Sequence, residues 1–253
     1  MGKYGKIPFD RIKGQCDLVR KNKLFYLMVA VEMKEETPIE PKDIIGVDMG
    51  IENIAVDSTG KYYSGDEIKK VREYYADLRS RLQSVGTKSA RRHLKKLSGK
   101  ESRFVRNINH IISKEIMQKA KGTSSAIAIE NLEGIRMRTT VGIGSRYIHN
   151  SWSFHQLRSF IEYKAKEMGI LVIAIDPHNT SRQCPKCHTT DRKNRPERSL
   201  FRCISCGLEG EADFIAALNI RNRAAVSQPI VTGAIFGHSI PPVASQRALA
   251  VGS

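Results

Sequence analysis

Two Cys-x2-Cys pairs, Cys184 with Cys187 and Cys203 with Cys206, stand fifteen residues apart and constrain this chain more than any other feature. Each pair turns two sulfurs toward one side, and two such turns complete a thiolate tetrahedron with no open coordination position. The spacing predicts one structural Zn2+ in a ribbon spanning 181–207. Cysteines used this way belong to a reducing compartment and argue against a disulfide framework. The fifth, Cys16, falls in a predicted strand and is expected to be a small buried hydrophobe. Between the pairs lie Arg192, Lys193, Arg195, Arg198 and Arg202. That basic loop either touches phosphate or stands solvated.

Charge narrows the partners. The 253 residues carry 42 Lys and Arg against 26 Asp and Glu, a formal +16, which calls for a polyanion. Between Asp66 and Lys121 there are 16 basic and 6 acidic residues, so most of the excess is local. Within that stretch Arg91, Arg92, Lys95 and Lys96 are the best candidates for phosphate contact, with a solvated helix face as the alternative. A hydrophobic content of 40% is enough to bury a sizeable core. No apolar run reaches the roughly 18 residues of a membrane helix, and the first residues lack the apolar core of a secretory signal. The chain is therefore expected in the cytoplasm, without a membrane partner.

Hydrophobic periodicity predicts the elements. Leu24 to Val31 reads as a strand paired with a run around Gln15 to Val19 in a hairpin. Ile44 to Gly50 and the segment to Gly65, turning at Ser58-Thr59-Gly60, predict three strands in a meander. Ser64-x-x-Glu67 has the form of a capping box, followed by Ile68, Val71, Tyr75, Leu78 and Leu82 at helical spacing. Further helices are expected around Ala90 to Leu97 and from Ser102 to Ala120. Strands follow at Ala126 to Asn131 and Leu171 to Asp176, with a helix through Phe154, Leu157, Ile161 and Ala165 between them. A last helix carries Asp213, Ala217 and Ile220 on one face, and 226–253 is expected to be an unstructured tail.

Three acids stand where carboxylates are costly. Asp48 ends an apolar strand with Gly46 and Ile44 beneath it on the same face, and Glu130 ends another with Ala128 and Ala126 beneath it. Burying either charge unpaired would cost several kcal/mol, as an order of magnitude, so each is expected to meet a cation or a partner. Asp213 is the third. Together they suit Mg2+ or Mn2+, hard ions that take oxygen ligands, and a pair of such ions could activate water against a phosphodiester. Gly86-Thr87-Lys88-Ser89 lacks the earlier glycine of a phosphate loop and predicts no nucleotide site. His93, His110, His155 and His178 lack ligand spacing, and Trp152 with Phe154 reads as core.

Ile45-Gly46-Val47-Asp48-Met49-Gly50, Ile127-Ala128-Ile129-Glu130-Asn131-Leu132, Asn179 to Cys187 and Asp213 to Ile220 occur in the order seen in the TnpB (OrfB) proteins of insertion sequences. The chain resembles that family from about Gly14 to Ala224. The resemblance implies an α/β, RNase H-like (RuvC-type) mixed five-stranded sheet flanked by helices, with an inserted four-cysteine zinc ribbon. It implies Asp48, Glu130 and Asp213 as catalytic ligands of two Mg2+ or Mn2+ ions. It further implies a guide RNA, a DNA target and a prokaryotic host. The expected organisation is a remnant hairpin of a wedge-like region over 1–40, a nuclease domain over 41–180 and 208–225 with a basic helical insertion at 66–121, and the ribbon at 181–207. Family members usually carry a longer N-terminal region, which a separate chain could supply. The expected function is an RNA-guided DNA endonuclease. The alternatives are a non-cleaving, nucleic-acid-binding remnant and a Holliday-junction-type resolvase.

Overall fold

The computed structural model describes residues 11–21, 23–32, 36–50, 52–131 and 153–227. Residues 132–152, Trp152 among them, and the tail from 228 onward lie outside them. The chain opens on an antiparallel hairpin, β1 (Ile12–Lys21) with β2 (Leu24–Val31). Its Leu18, Val19, Leu24, Phe25, Tyr26, Leu27 and Met28 are all exposed. Consecutive residues point to opposite faces, so neither face of the ribbon is covered by the described residues. Cys16 lies there too and is exposed, which corrects the expectation of burial: the strand exists, but no second layer packs on it.

The meander follows as β3 (Asp43–Asp48), β4 (Asn53–Asp57) and β5 (Tyr62–Ser64), paired antiparallel in sequence order. Three helices come next: α1 (Asp66–Val85), α2 (Lys88–Leu97) and α3 (Lys100–Gly122). Gly65, not Ser64, takes the cap position of α1. Ser64 is held in β5 opposite Asn53, and from there its hydroxyl accepts from the N–H of Asp66, the first residue of the helix, at 3.1 Å. Thr87 does cap α2, its side chain accepting from the Ala90 N–H at 3.2 Å. That accounts for part of the phosphate-loop-like run as helix-start chemistry.

Then come β6 (Ser125–Glu130), α4 (Ser153–Glu167), β7 (Val172–Ile175), the ribbon strands β8 (Leu200–Arg202) and β9 (Glu209–Glu211), and α5 (Ala212–Ser227). The sheet order is β5-β4-β3-β6-β7, with β6 parallel to both β3 and β7. This is the mixed five-stranded sheet the sequence predicted, with the Asp48 and Glu130 strands side by side. Residue parity divides its two faces. Ile45, Val47, Ile127 and Ile129 point into one core with Ile68, Val105, Ile112, Ile116, Leu157 and Ile161 of the helices. Ile44, Ala126, Ala128, Ile173 and Ile175 face Ile220, Ala224 and Ala225 of α5.

The second face is built of small residues, and α5 lies almost on the strand backbone. A methyl group at Gly46 would stand 2.6 Å from the Arg221 nitrogen and closer still to the Ala217 carbonyl oxygen. No larger residue fits at that crossing without moving the helix.

Candidate functional site

Face parity carries straight to the site. Asp48 continues the Ile44, Gly46 series and Glu130 the Ala126, Ala128 series, so both acids emerge on the α5 face at the carboxyl ends of adjacent parallel strands. On α5, Asp213 lies one turn before Ala217, the residue seated over Gly46. The three acids, 82 and 83 positions apart in sequence, thus lie toward one end of the sheet.

Electrostatics record their proximity. Burial, and then the charges of Glu130 and Asp213, push the Asp48 carboxyl well above the usual carboxylate range, against a smaller opposing pull from Arg195. Burial also raises Glu130, opposed by its hydrogen bond from Thr180 and by the Arg223 charge. Mutual repulsion in a partly closed site is the environment that a bound cation relieves. The donor set is all oxygen, the kind a hard divalent ion takes, but among the described residues only the cysteine sulfurs, and not these carboxylates, close to within 4.8 Å of one another.

Several neighbours escaped the sequence reading. Asn53 donates to Asp213 Oδ2 at 3.0 Å, and the Arg195 guanidinium lies 3.6 Å from Asp213 Oδ1. Thr180 donates its hydroxyl proton to Glu130 Oε1. Arg195 was visible only as one of five basic residues in the ribbon loop. Two of the others turn elsewhere, Arg198 to Glu52 at 3.3 Å and Arg202 to Glu209 at 3.0 Å. Nothing in a linear sequence separates one from the rest, because the distinction arises when the ribbon folds back beside α5.

The four cysteines come together as their spacing required, with ligand sulfurs all within 4.8 Å of one another. Cys184 Sγ lies 3.6 Å from Cys206 Sγ, and Cys187 Sγ 3.4 Å from Cys203 Sγ. A tetrahedron with Zn–S bonds of about 2.3 Å has edges near 3.8 Å, so the group fits zinc. In both knuckles the residue after the pair's second cysteine closes the turn with a left-handed backbone, His188 at φ 61° and Gly207 at φ 69°. Their N–H groups donate to the Cys184 and Cys203 carbonyls. Burial pushes the Cys184 thiol up to about 12, while the Thr189 hydrogen bonds draw Cys187 down to about 6. Metal binding would therefore displace a firmly held proton from Cys184. Phe201, Phe214, Ile215 and Leu218 pack against Cys184 and Cys203, joining the ribbon to the start of α5.

Arg91, Arg92, Lys95 and Lys96 are exposed on α2, and none forms an ion pair among the described residues. His110 stacks on Phe160 with ring centroids 3.9 Å apart and serves the packing of α3 on α4. Among the described residues no helix is long and apolar enough to cross a membrane.

Two family models match in tandem. Residues 27–139 match one described as "Probable transposase" (OrfB_IS605), and residues 154–220 match one described as "Cas12f1-like, TNB domain". Both matches, with TnpB-like relatives beside them, liken the chain to the TnpB (OrfB) proteins. It is 33% identical over 219 residues to a CRISPR-associated endodeoxyribonuclease Cas12f1 of Sulfoacidibacillus thermotolerans, covering 79% of this chain and 50% of that one. It is 31% identical over 164 residues to a TnpB-like protein of Methanocaldococcus jannaschii, covering 62% and 58%. The chain spans about half the length of the curated relatives it matches. A CRISPR-Cas12f ternary complex solved by cryo-electron microscopy superposes with a TM-score of 0.60 at 22% identity, over 81% of this chain and 44% of that one. A Cas12f1–sgRNA–target DNA complex gives 0.57, over 83% and 56%. These likenesses show the fold, the RuvC-like arrangement that the resemblance implied.

Proposed function

We propose that this chain is the nuclease part of a transposon-encoded, RNA-guided DNA endonuclease that hydrolyses phosphodiester bonds with divalent metal. The observation that supports the reading is that Asp48, Glu130 and Asp213 lie toward one end of one sheet face, with half-buried Asp48 near enough for both other charges to act on it. These three residues would hold two Mg2+ or Mn2+ ions. Such ions supply an activated water and stabilise the leaving oxygen of the phosphodiester. The chain does the positioning: Asn53 and Thr180 orient Asp213 and Glu130, and Arg195 sets a guanidinium beside the acids where a phosphate would arrive. The ribbon's zinc is structural, with all four positions taken by sulfur.

DNA and a guide RNA are the partners. Their support is the solved Cas12f1 complex with sgRNA and target DNA, together with the +16 charge of this chain. The exposed α2 residues Arg91, Arg92, Lys95 and Lys96 offer phosphate contacts. In this reading 41–180 and 208–225 form the nuclease domain, 66–121 its basic insertion, 181–207 the ribbon and 1–40 the end of a wedge-like region. The uncovered β1–β2 hairpin supports the last assignment, because an isolated two-stranded ribbon is marginally stable and needs a further layer.

The test compares wild type with Asp48→Ala, Glu130→Ala and Asp213→Ala on single-stranded DNA, and on plasmid with copurified RNA, in Mg2+ and in chelator. Each variant should lose cleavage to background without additivity, since one missing ligand disables the unit, while nucleic-acid binding persists. Cleavage surviving in all three variants would move the site elsewhere. Binding without cleavage by wild type, even with an N-terminal region from a longer relative added, would assign the remnant reading.

A further inference from the structure

We propose that Thr180 is a positioning residue for Glu130, and that through it the segment entering the zinc ribbon sets the affinity of the carboxylate site for its divalent ion. The proposal rests on the reading of the three acids as ion ligands. Glu130 ends β6, and its backbone pairs with Ile175 at the end of β7. From there the chain passes over the acid through residues 176–183 and enters the first cysteine turn at Cys184. Thr180 lies inside this segment, 3% exposed, with its hydroxyl on Glu130 Oε1.

A threonine hydroxyl has one proton to give. The Pro177 carbonyl is the other acceptor in reach, at 3.0 Å, but it also receives the Thr180 N–H. The carboxylate, the stronger acceptor, therefore takes the hydroxyl proton. Asn179, just before it, has a left-handed backbone (φ 63°), a conformation asparagine tolerates better than most residues, and this turn sends Thr180 inward.

The segment is held from behind by α5. Asn219, 3% exposed, donates both amide hydrogens, to the Thr180 carbonyl and the Gln183 carbonyl, each at 2.7 Å. One turn further on, Arg223 donates to the Asp176 carbonyl at 3.1 Å, the His178 carbonyl at 2.7 Å and Gln183 Oε1 at 3.0 Å. The helix that carries Asp213 thus also carries the clamps that aim Thr180 at Glu130. A glutamate at a strand end would otherwise sample several rotamers. Here one oxygen is held by the hydroxyl, which leaves the other oriented for an ion. Partners of metal-bound carboxylates ordinarily tune affinity by about 10–100-fold.

The experiment titrates Mn2+ into the zinc-loaded protein without nucleic acid, reading free Mn2+ by electron paramagnetic resonance. Zinc content and thermal midpoint are measured alongside. Thr180→Val keeps the shape and removes the hydroxyl, and Thr180→Ala serves if valine does not fold. The expected result is Mn2+ affinity weaker by about 10-fold, zinc content unchanged, and affinity recovered by Thr180→Ser to within about threefold of wild type. Wild-type affinity in Thr180→Val or Thr180→Ala, alongside lost binding in Asp48→Ala and Asp213→Ala, would overturn the role of Thr180 and leave the ion site standing. Mn2+ binding indifferent to Asp48→Ala and Asp213→Ala would remove the ion site and the proposal with it. A Thr180→Ser affinity as weak as that of Thr180→Val would show that the hydroxyl does not by itself position Glu130 and would overturn the proposal.

Discussion

Adding one methyl group at Gly46 tests the central geometric claim, that close approach of α5 to β3 brings Asp213 over Asp48. In Gly46→Ala the new Cβ would lie 2.6 Å from the Arg221 nitrogen, and nearer to the Ala217 carbonyl oxygen. Both obstacles are helix backbone, so no side chain can swing aside. Real carbon contacts below 3.0 Å are essentially absent, so α5 must retreat by more than about 0.4 Å, pulling against the packing of Ile220 and Ala224. Overpacking of this kind costs about 1–3 kcal/mol. For a chain of this size that corresponds to a fall of about 3–10 °C in thermal midpoint. Because Asp213 sits one turn from Ala217, the carboxylates should also separate, and Mn2+ affinity should drop along with stability. Circular dichroism melts and Mn2+ titration read the two effects. Gly122→Ala is the control, since nothing lies within 4 Å of its added methyl. A Gly46→Ala midpoint and Mn2+ affinity indistinguishable from those of the control would refute the close-approach argument.

Burial and its acidic neighbours raise Asp48 above its unfolded value, so protonation stabilises the fold when no divalent ion is present. That contribution is complete below the unfolded value of 3.8 and is lost as pH rises through the raised folded value. Asp48→Asn should therefore melt about 2–5 °C higher than wild type at pH 7 in Mg2+-free buffer, and equal midpoints would contradict the burial argument. Cys203→Ser should abolish zinc retention on dialysis, measured by atomic absorption, and lower the midpoint through the Phe201 and Phe214 packing that joins ribbon to α5. Neutralising Arg91, Arg92, Lys95 and Lys96 together should flatten the salt dependence of nucleic-acid binding by up to about 3.6 log units per log unit of salt; an unchanged slope would assign that face to solvent.

The parts legible in the sequence were those with a short physical period. Alternation along Ile44 to Asp48 and Ala126 to Glu130 predicted both strands and put their terminal acids on a face of small residues, and cysteine spacing predicted the four-sulfur cluster. The misses involve a second layer that periodicity cannot see. Cys16 looked buried because its strand is apolar, yet nothing described packs on that hairpin. Ser64 had the right spacing for a cap, but it sits in β5 and accepts from the first N–H of α1 one position before the cap. Arg195 and Thr180 gave no signal of their own, because their partners Asp213 and Glu130 lie 18 and 50 positions away and meet them only once the ribbon is folded.

The place of the ribbon in the chain then has a physical meaning. It is inserted between β7 and α5, the last strand of the sheet and the helix bearing the third acid. An unstructured connection there would leave the start of α5 free to fray, and Asp213 lies in its first turn. The folded ribbon acts on that turn from three directions. Phe201 and the buried cysteines pack against Phe214 and Ile215, Arg195 reaches Asp213 itself, and the entering segment ties Thr180 to Glu130 and to Asn219. Two of the three acids are thereby held by side chains within or just before one cysteine-clustered insertion, while Asp48 is held by the sheet. Loss of zinc should consequently loosen Glu130 and Asp213 together and leave the Asp48 strand in place, so that damage at the cysteines reaches the carboxylates without unfolding the core.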